Sequence, residues 1–385
     1  MNNISNISDC FGCGVCALAC VKKIIDLRLN EDGFYQPVIK EQEKCTNCGL
    51  CLDVCSFNKK DLALPSGTMK AYAAWSNDDD IRKSCSSGGI GYEIGRSLIN
   101  DGYKVCGVRY NVQEARAEHY IATTVEGLSQ CIGSKYLQSY TLTGFKGLSI
   151  KGNKYLVIGT PCQIDSFRRF IKRYNCEDNY VLVDFFCHGV PSYLLWKKYL
   201  GEHENTLGRI ITARWRNKTR NKESDSCDWH DSWDIHIQGD KGLFQSKLSE
   251  GDLFYRFFIG NYCLNNCCYN DCRFKHVYSS ADIRLGDCWG KKYAKEKKGV
   301  STVIALTDLG AKVLGQLNTC EFVEEELECV TEGQYKKPVS KPFIRNKVIK
   351  MLRSKHSLRS IHTIMCKPYM LMNVPKRVVR KLIKK

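Results

Sequence analysis

Eight of the 23 cysteines fall into two copies of one spacing. Cys10, Cys13, Cys16 and Cys20 make the first copy; Cys45, Cys48, Cys51 and Cys55 make the second. The pattern is C-x2-C-x2-C-x3-C twice, which carries the ligands of two 4Fe–4S clusters. A 4Fe–4S cube needs four thiolates arriving from four directions. Three closely spaced cysteines on a tight loop wrap three irons, and the fourth leads into a helix and points at the other cube. The spacing therefore assigns Cys10, Cys13, Cys16 and Cys55 to one cluster, and Cys45, Cys48, Cys51 and Cys20 to the other. Gly12, Gly14 and Gly49 suit loops whose backbone must approach inorganic sulfide. Val21 and Ser56 stand where proline often follows the fourth cysteine, a departure that removes no ligand.

Zinc is the competing reading, since C-x2-C pairs also build zinc sites. Zinc sites would need well-separated pairs with four ligands per ion, and these quartets interlock instead. Residues 1–60 are thus expected to form an α+β module of the two-cluster bacterial ferredoxin type. The start of the chain, Met1 to Ser8, is polar and has no apolar signal core. So many cysteines without such a signal are expected in a reducing cytoplasm, as thiols or metal ligands rather than disulfides.

At 385 residues the chain has room for an α/β core beside the cluster module. No stretch approaches the roughly 18 apolar residues needed to span a bilayer. The net charge of +17 is uneven. Residues 336–385 hold 16 Lys and Arg and no acid, which leaves the first 335 residues nearly neutral. The tail ends in a segment that would place Val374, Val378, Val379, Leu382 and Ile383 on one helical face, and Ile344, Val348, Ile349 and Leu352 repeat the pattern earlier. Basic amphipathic helices lie on anionic membrane surfaces, and they equally pack on their own domain with a solvated basic face; both readings stand. Nucleic acid is not an expected partner, because the tail lacks interleaved aromatics and no binding module is present.

Between these ends the pattern is that of an α/β body. Residues 61–69 read as a linker. Strands are expected at Ala71–Trp75, Lys104–Val108, His119–Thr123, Ile210–Trp215, Trp233–Ile237 and Thr302–Ala305. Two βα units stand out: Tyr155–Ile158 runs through Gly159–Cys162 into a helix, and Tyr180–Val183 runs through Cys187–Gly189 into another. Two in a row suggest a parallel sheet, with ligands at the carboxyl ends of its strands. There is no GxGxxG and no P-loop. Late in the chain Cys263, Cys267, Cys268 and Cys272 fall within ten residues, and Cys288 follows. They are candidates for a third 4Fe–4S cluster or a zinc, and equally for buried free thiols.

These pieces together resemble the beta-subunit family of coenzyme F-420 hydrogenase/dehydrogenase. The resemblance is carried by the doubled cysteine run, Ser86-Ser87-Gly88-Gly89, the segment Gly133–Ser139, Gly159-Thr160-Pro161-Cys162-Gln163, Cys187-His188-Gly189-Val190-Pro191, Cys268-Tyr269 and Ala281–Asp287. It divides the body into residues 70–150 and 151–325, followed by the basic tail 336–385. It implies a flavin, usually FAD, held between two α/β portions, and electron passage between that flavin and the clusters. On this reading Ser86, Ser87, Gly88 and Gly89 approach the pyrophosphate. Thr160, Pro161, Cys162 and Gln163 touch the isoalloxazine edge, beside Tyr136. Lys135 stabilises charge on the reduced ring, and His188 bonds the flavin or donates a proton. The implication does not extend to the deazaflavin coenzyme itself, since relatives occur where it is not made.

The chain is accordingly expected to be an iron–sulfur flavoprotein oxidoreductase with a small-molecule substrate. It would exchange electrons with a redox partner protein or small donor, in the cytoplasm or peripherally at the membrane. Family context suggests a reductive step in surface polysaccharide synthesis. The alternative is an electron-transfer subunit with no substrate of its own.

Overall fold

The two cysteine runs fold as two copies of one turn. In this computed structural model, which describes residues 2–7, 9–64, 67, 69–148, 151–218 and 229–373, each run passes through a glycine in the left-handed region, Gly14 (φ 72°) and Gly49 (φ 79°). A side chain there would carry a Cβ penalty. Each glycine opens a short helix, Val15–Ala19 or Leu50–Asp53, that turns the third cysteine of its run inward. Helices this short are unstable alone; Val15, Ala19 and Val54 anchor them in the apolar core of the body. A hairpin joins the copies, with β1 (Ile25–Leu29) antiparallel to β2 (Tyr35–Ile39).

The body then lays down β3 (Lys70–Ser76), β4 (Lys104–Asn111), β5 (Arg116–Ala122), β6 (Tyr155–Ile158) and β7 (Tyr180–Phe185). After these come β8 (Ile210–Trp215), β9 (Asp234–Gly239), β10 (Leu243–Lys247), β11 (Ile283–Asp287), β12 (Ser301–Ala305) and β13 (Cys320–Glu324). Eight of them form one sheet in the order β13-β3-β12-β11-β7-β6-β4-β5, and β10-β9-β8 form a second. The centre of the large sheet is buried: Leu156, Val157, Val181, Leu182 and Val183 are shut off from water. Each such side chain contributes roughly 1.5–3 kcal/mol on burial. This is why β6 and β7 read as continuous apolar runs.

The sheet is mixed, where the two βα units had suggested a parallel one. β4, β6, β7 and β11 are mutually parallel, while β5, β12, β3 and β13 join antiparallel. The helix Pro161–Arg173 links β6 to β7 as expected. The helix Tyr193–Leu207 does not return to this sheet. It packs Trp196 and Tyr199 against Trp215 and Phe254 under the small sheet. The two portions of the body share one sheet: β3, from the first, pairs with β12 and β13, from the second.

Of the two amphipathic tail segments, the first is core. Helix Arg345–Leu352 buries Val348, Ile349 and Leu352, with Ile344 just before it. Arg345 reaches from it to Asp32 at 2.8 Å and to the Leu264 carbonyl, over the ring of Phe34. One buried cation thus ties the tail, the β1–β2 turn and the late cysteine loop together. The second segment, residues 374–385, lies outside the described residues.

Candidate functional site

Electrostatic coupling links thiols of the N-terminal module to one another and to thiols of the body. In a first group, Cys10, Cys13, Cys16 and Cys55 are close enough to raise one another's pKa. Burial is the larger cause, and at Cys10 and Cys16 the neighbouring thiolates Cys13 and Cys55 add to it. Burial pushes Cys13 up to about 11, with the Cys55 charge adding and a hydrogen bond to Ser166 (3.3 Å) opposing. In the second group burial raises Cys51, to which the charges of Cys48 and Cys20 add, and Cys45 packs with Cys20 and Cys51 in one small apolar cluster. Cys48 is the exposed member, so this group is the outer one.

The third group was only half visible in the sequence. Cys162, at the start of helix Pro161–Arg173, is raised first by burial and then by Cys187, Cys268 and Cys13. Cys187 in turn feels Cys272, and Cys268 feels both Cys187 and Cys272. These mutual effects group Cys162, Cys187, Cys268 and Cys272, from the ends of β6 and β7 and from the late loop, as a candidate third ligand set, with Cys267 at its edge. The five late cysteines expected to act together divide. Cys263 sits near Cys366 on the other side of the loop. Cys288 lies near Thr302 and Cys329. Cys267 lies close to Cys268 and Cys272 on one side and to Cys10 on the other. The late cysteines thus have different neighbours, while two strand ends bring Cys162 and Cys187 near Cys268 and Cys272. Among the described residues no three Cys, His, Asp or Glu groups are drawn together as ligands of one ion would be.

The third group bridges module and body. Cys13 and Cys162 sense one another across the boundary. Ser56 donates from its backbone to Ser166 Oγ (3.1 Å) and from its hydroxyl to the Cys162 carbonyl (2.9 Å). Asn265 Nδ2 donates to the Cys10 carbonyl at 3.1 Å while its Oδ1 accepts from the Cys267 amide. Lys275, buried, donates to the carbonyls of Cys187 (2.6 Å) and His188 (3.1 Å) and fixes that turn. Beyond Cys272 the surface opens into a cleft of about 800 Å³ whose lining carries Lys60, Arg273, Lys275, Lys336 and Lys337 against Asp61 and Asp271.

The segment Gly133–Ser139 links the Ser86 loop, the N-terminal module and the start of helix Pro161–Arg173. At one end the Ser134 amide and hydroxyl meet Ser86 Oγ. At the other, Ser139 Oγ accepts from Gln163 Nε2 at 3.0 Å. Between them Gln138 donates to the Phe11 carbonyl (3.0 Å) and accepts from the Tyr35 amide (2.6 Å). A Cβ at Gly12 would collide with the Gln138 side-chain amide and the Tyr35 carbonyl, which is why residue 12 is glycine. Gln138→Ala leaves both buried backbone groups without a partner. It is expected to loosen the module by about 2 kcal/mol, a roughly thirty-fold shift in the opening equilibrium. Hydrogen exchange at the Tyr35 amide reads it directly; an unchanged rate would show that the bridge carries no load.

The residues assigned to a flavin have most of their polar groups engaged. The Gly88 amide donates to Ser301 Oγ, and a Cβ there would strike the Ala74 carbonyl and Ser301. Gly88 is therefore a packing glycine and does not fit the part of a free pyrophosphate donor; Gly89, left-handed, begins helix Ile90–Asn100. Ser87 Oγ donates to the Val300 carbonyl. Thr160 and Gln163 close a helix cap, the Thr160 amide donating to Gln163 Oε1, with Pro161 at the first helical position. Lys135 donates to three carbonyls, of Gln130, Ile132 and Gly133, and removal from water lowers its pKa to about 8. His188 lies between Phe258 and Tyr335, and burial lowers it to about 4, so near neutral pH it is an uncharged ring and not a cationic proton donor.

Two side chains that no motif announced join these contacts. Lys218 donates to the carbonyls of Arg82, Ser87 and Lys298, fastening the Ser86–Gly89 loop from below. Arg216, in the left-handed region at φ 59°, pairs with Asp287 at 2.9 Å and bonds the Ser86 carbonyl. Its guanidinium lies over the rings of Trp233 and Trp289, with Tyr136 stacked beyond Trp233 and Trp229 beyond Trp289. A single Arg or Lys in a loop carries no periodic or spacing signal, so sequence reasoning had no handle on either.

Comparison with known proteins gives the following. Residues 71–145 match the sequence model for the N-terminal part, and residues 152–328 that for the C terminus, of the coenzyme F420 hydrogenase/dehydrogenase beta subunit. Residues 9–59 match a 4Fe-4S dicluster domain. Among solved structures, a chain from a xenon-derivatization study of the F420-reducing [NiFe] hydrogenase complex of Methanosarcina barkeri is 16% identical. That match covers 80% of this chain and 94% of that one, at a TM-score of 0.45. No curated protein matches.

Proposed function

Because the chain belongs to the coenzyme F420 hydrogenase/dehydrogenase beta-subunit family and carries a 4Fe-4S dicluster domain at its N-terminus, we propose that it is the electron-transfer subunit of a redox system. In this reading it conducts single electrons between a partner protein and a hydride-carrying coenzyme at the carboxyl edge of the main sheet. The observation that carries the reading is the continuity of the thiol groups. The outer, second group has an exposed corner at Cys48, the first group lies inward of it, and the third joins the first through Cys13 and Cys162.

The residues fit iron–sulfur clusters by the chemistry of the donor set. Eight of the twelve cysteines, Cys10, Cys13, Cys16, Cys51, Cys55, Cys162, Cys187 and Cys268, are raised by burial, which would keep them protonated as free thiols; iron would draw off those protons and replace them with bonds. Clusters so held would supply one-electron transfer over a wide span of potential, and a flavin beside them would supply hydride exchange. The chain's own contribution is positioning. Ser166, Asn265 and Lys275 fix the cysteine loops, and the tight contact along Gln138 and Ser56 keeps water from the boundary. For a flavin the fit is partial. Tyr136, the Arg216–Asp287 pair and Ser86 lie together, whereas Gly88 faces the sheet. The lysines around Cys272 give an acidic partner protein a place to dock. This role needs no organic substrate of the chain's own, and the polysaccharide step is not part of it.

The test is an oxygen-free preparation of the full chain titrated with a one-electron donor under spin-resonance and optical detection. The expected result is reversible uptake by all three clusters, together with bleaching of one bound flavin per chain. Clusters that take up no electrons would sink the electron-transfer reading. Cluster uptake without any flavin would leave the electron path and overturn the coenzyme.

A further inference from the structure

The segment after residue 357 has two faces, and both are apolar. Its inner face, Leu358, Ile361, His362 and Cys366, packs into the core, with Met365 and Tyr369 against it. Its outer face carries Ile364, Pro368, Leu371 and Met372, at spacings of four, three and one that keep them on one side of a helix. Ile364 is 52% exposed, Leu371 62% and Met372 56%, and Phe343, whose ring meets Tyr369, is 75% exposed. From Thr363 to Met372 the segment carries a single charge, Lys367. Pro368 has no N–H to offer the Ile364 carbonyl, and the turn before it widens to a π-helix over His362–Cys366. That widening keeps Cys366 and Tyr369 turned inward while Ile364, Leu371 and Met372 remain outside.

A contiguous apolar stripe in water calls for an occupant. The charge around it indicates which. Residues 336–385 carry 16 basic and no acidic side chains, and six of the basic ones follow the stripe directly, between Lys376 and Lys385. An acidic protein surface would meet those charges but would not bury Leu371 and Met372. A bilayer surface of anionic lipid does both, taking the apolar side chains at the headgroup boundary and the lysines and arginines among the phosphates. We infer that the outer face of this C-terminal segment is the face by which the chain lies on an anionic membrane. The contact is peripheral, since among the described residues no helix is long and apolar enough to cross a bilayer. It differs from the amphipathic face read at Ile344–Leu352, which the core of the protein uses.

The experiment is sedimentation of the full chain with vesicles of phosphatidylcholine alone and of phosphatidylcholine with phosphatidylglycerol. Binding is expected only to the anionic vesicles and is expected to weaken as salt rises. Leu371→Asp with Met372→Asp alters two exposed side chains and should leave the melting temperature unchanged while lowering bound protein about ten-fold or more. Equal partitioning of this variant and wild type would overturn the inference, as would failure of wild type to bind. A second copy as occupant would appear as a wild-type dimer that the variant converts to monomer, and it too would overturn the proposal. Stronger vesicle binding after deletion of residues 374–385 would show that this end covers the stripe, with the same consequence.

Discussion

Replacing both Cys268 and Cys272 with alanine is expected to lower the iron of an oxygen-free preparation from about twelve to about eight per chain, with sulfide falling in step. The two substitutions remove half the ligands of the third quartet and none of the N-terminal ligands. A cube held by only Cys162 and Cys187 has no stable form, so four irons leave together. Removing both avoids the three-iron remnant that a single deletion can leave. Cys263→Ala and Cys288→Ala supply the contrast. They belong to the same late stretch of sequence, but Cys263 faces Cys366 and Cys288 faces Cys329. Both are expected to retain about twelve iron. Wild type with about eight iron would remove the third cluster. An unchanged count in the double variant, with loss in Cys263→Ala or Cys288→Ala, would return the site to the linear grouping. The spin-resonance signals of the two N-terminal clusters should persist in the double variant, because the Ser56–Ser166 and Asn265–Cys10 contacts do not pass through either replaced thiol.

The difference between the quartets shows where sequence reasoning has purchase. A ligand set within one loop is legible because the spacing is itself the geometry: Cys10, Cys13 and Cys16 must face one object, and the helix after Gly14 sets the direction of Cys20. A ligand set assembled from β6, β7 and a distant loop has no linear signature, and Cys162 and Cys187 read equally well as pocket lining. The same limit applied to the strands. β6 and β7, buried on both faces, were plain, whereas β11 carries Arg284 and Asp287 in five residues and does not look like a strand until β7 and β12 flank it. In the small-residue motifs the chain's own fold already imposes constraints. Gly88 is small because a sheet carbonyl lies against it, and Thr160 and Gln163 are polar because a helix begins there. Short motifs report a constraint; whether a ligand or the chain's own backbone imposes it depends on neighbours from other parts of the sequence.

Asp184→Ala is expected to cost about 3–5 kcal/mol of stability, the largest effect of any single substitution considered. The β7–β11 register places Asp184 opposite Arg284, and both side chains are fully buried. The carboxylate accepts from Arg284 Nε and Nη2, both at 2.7 Å, and from Ser279 Oγ at 2.6 Å. Arg284 Nη1 continues to the His276 carbonyl at 2.6 Å. Truncation leaves a guanidinium in the interior with no counter-charge, which is far more costly than the absence of the pair altogether. The double change Asp184→Leu with Arg284→Met should therefore recover a large part of the loss, and the cycle of four proteins isolates the coupling. The consequence reaches the proposed site. Arg284 and Asp184 hold the stretch from His276 to Ser279, directly after Lys275, which clamps the Cys187 turn, and Cys272, which belongs to the third quartet. Asp184→Ala is thus expected to shed iron from the third quartet alone, ending near eight per chain while the two N-terminal signals persist. A large drop in melting temperature with all twelve irons retained would separate the two roles and confine this pair to stability.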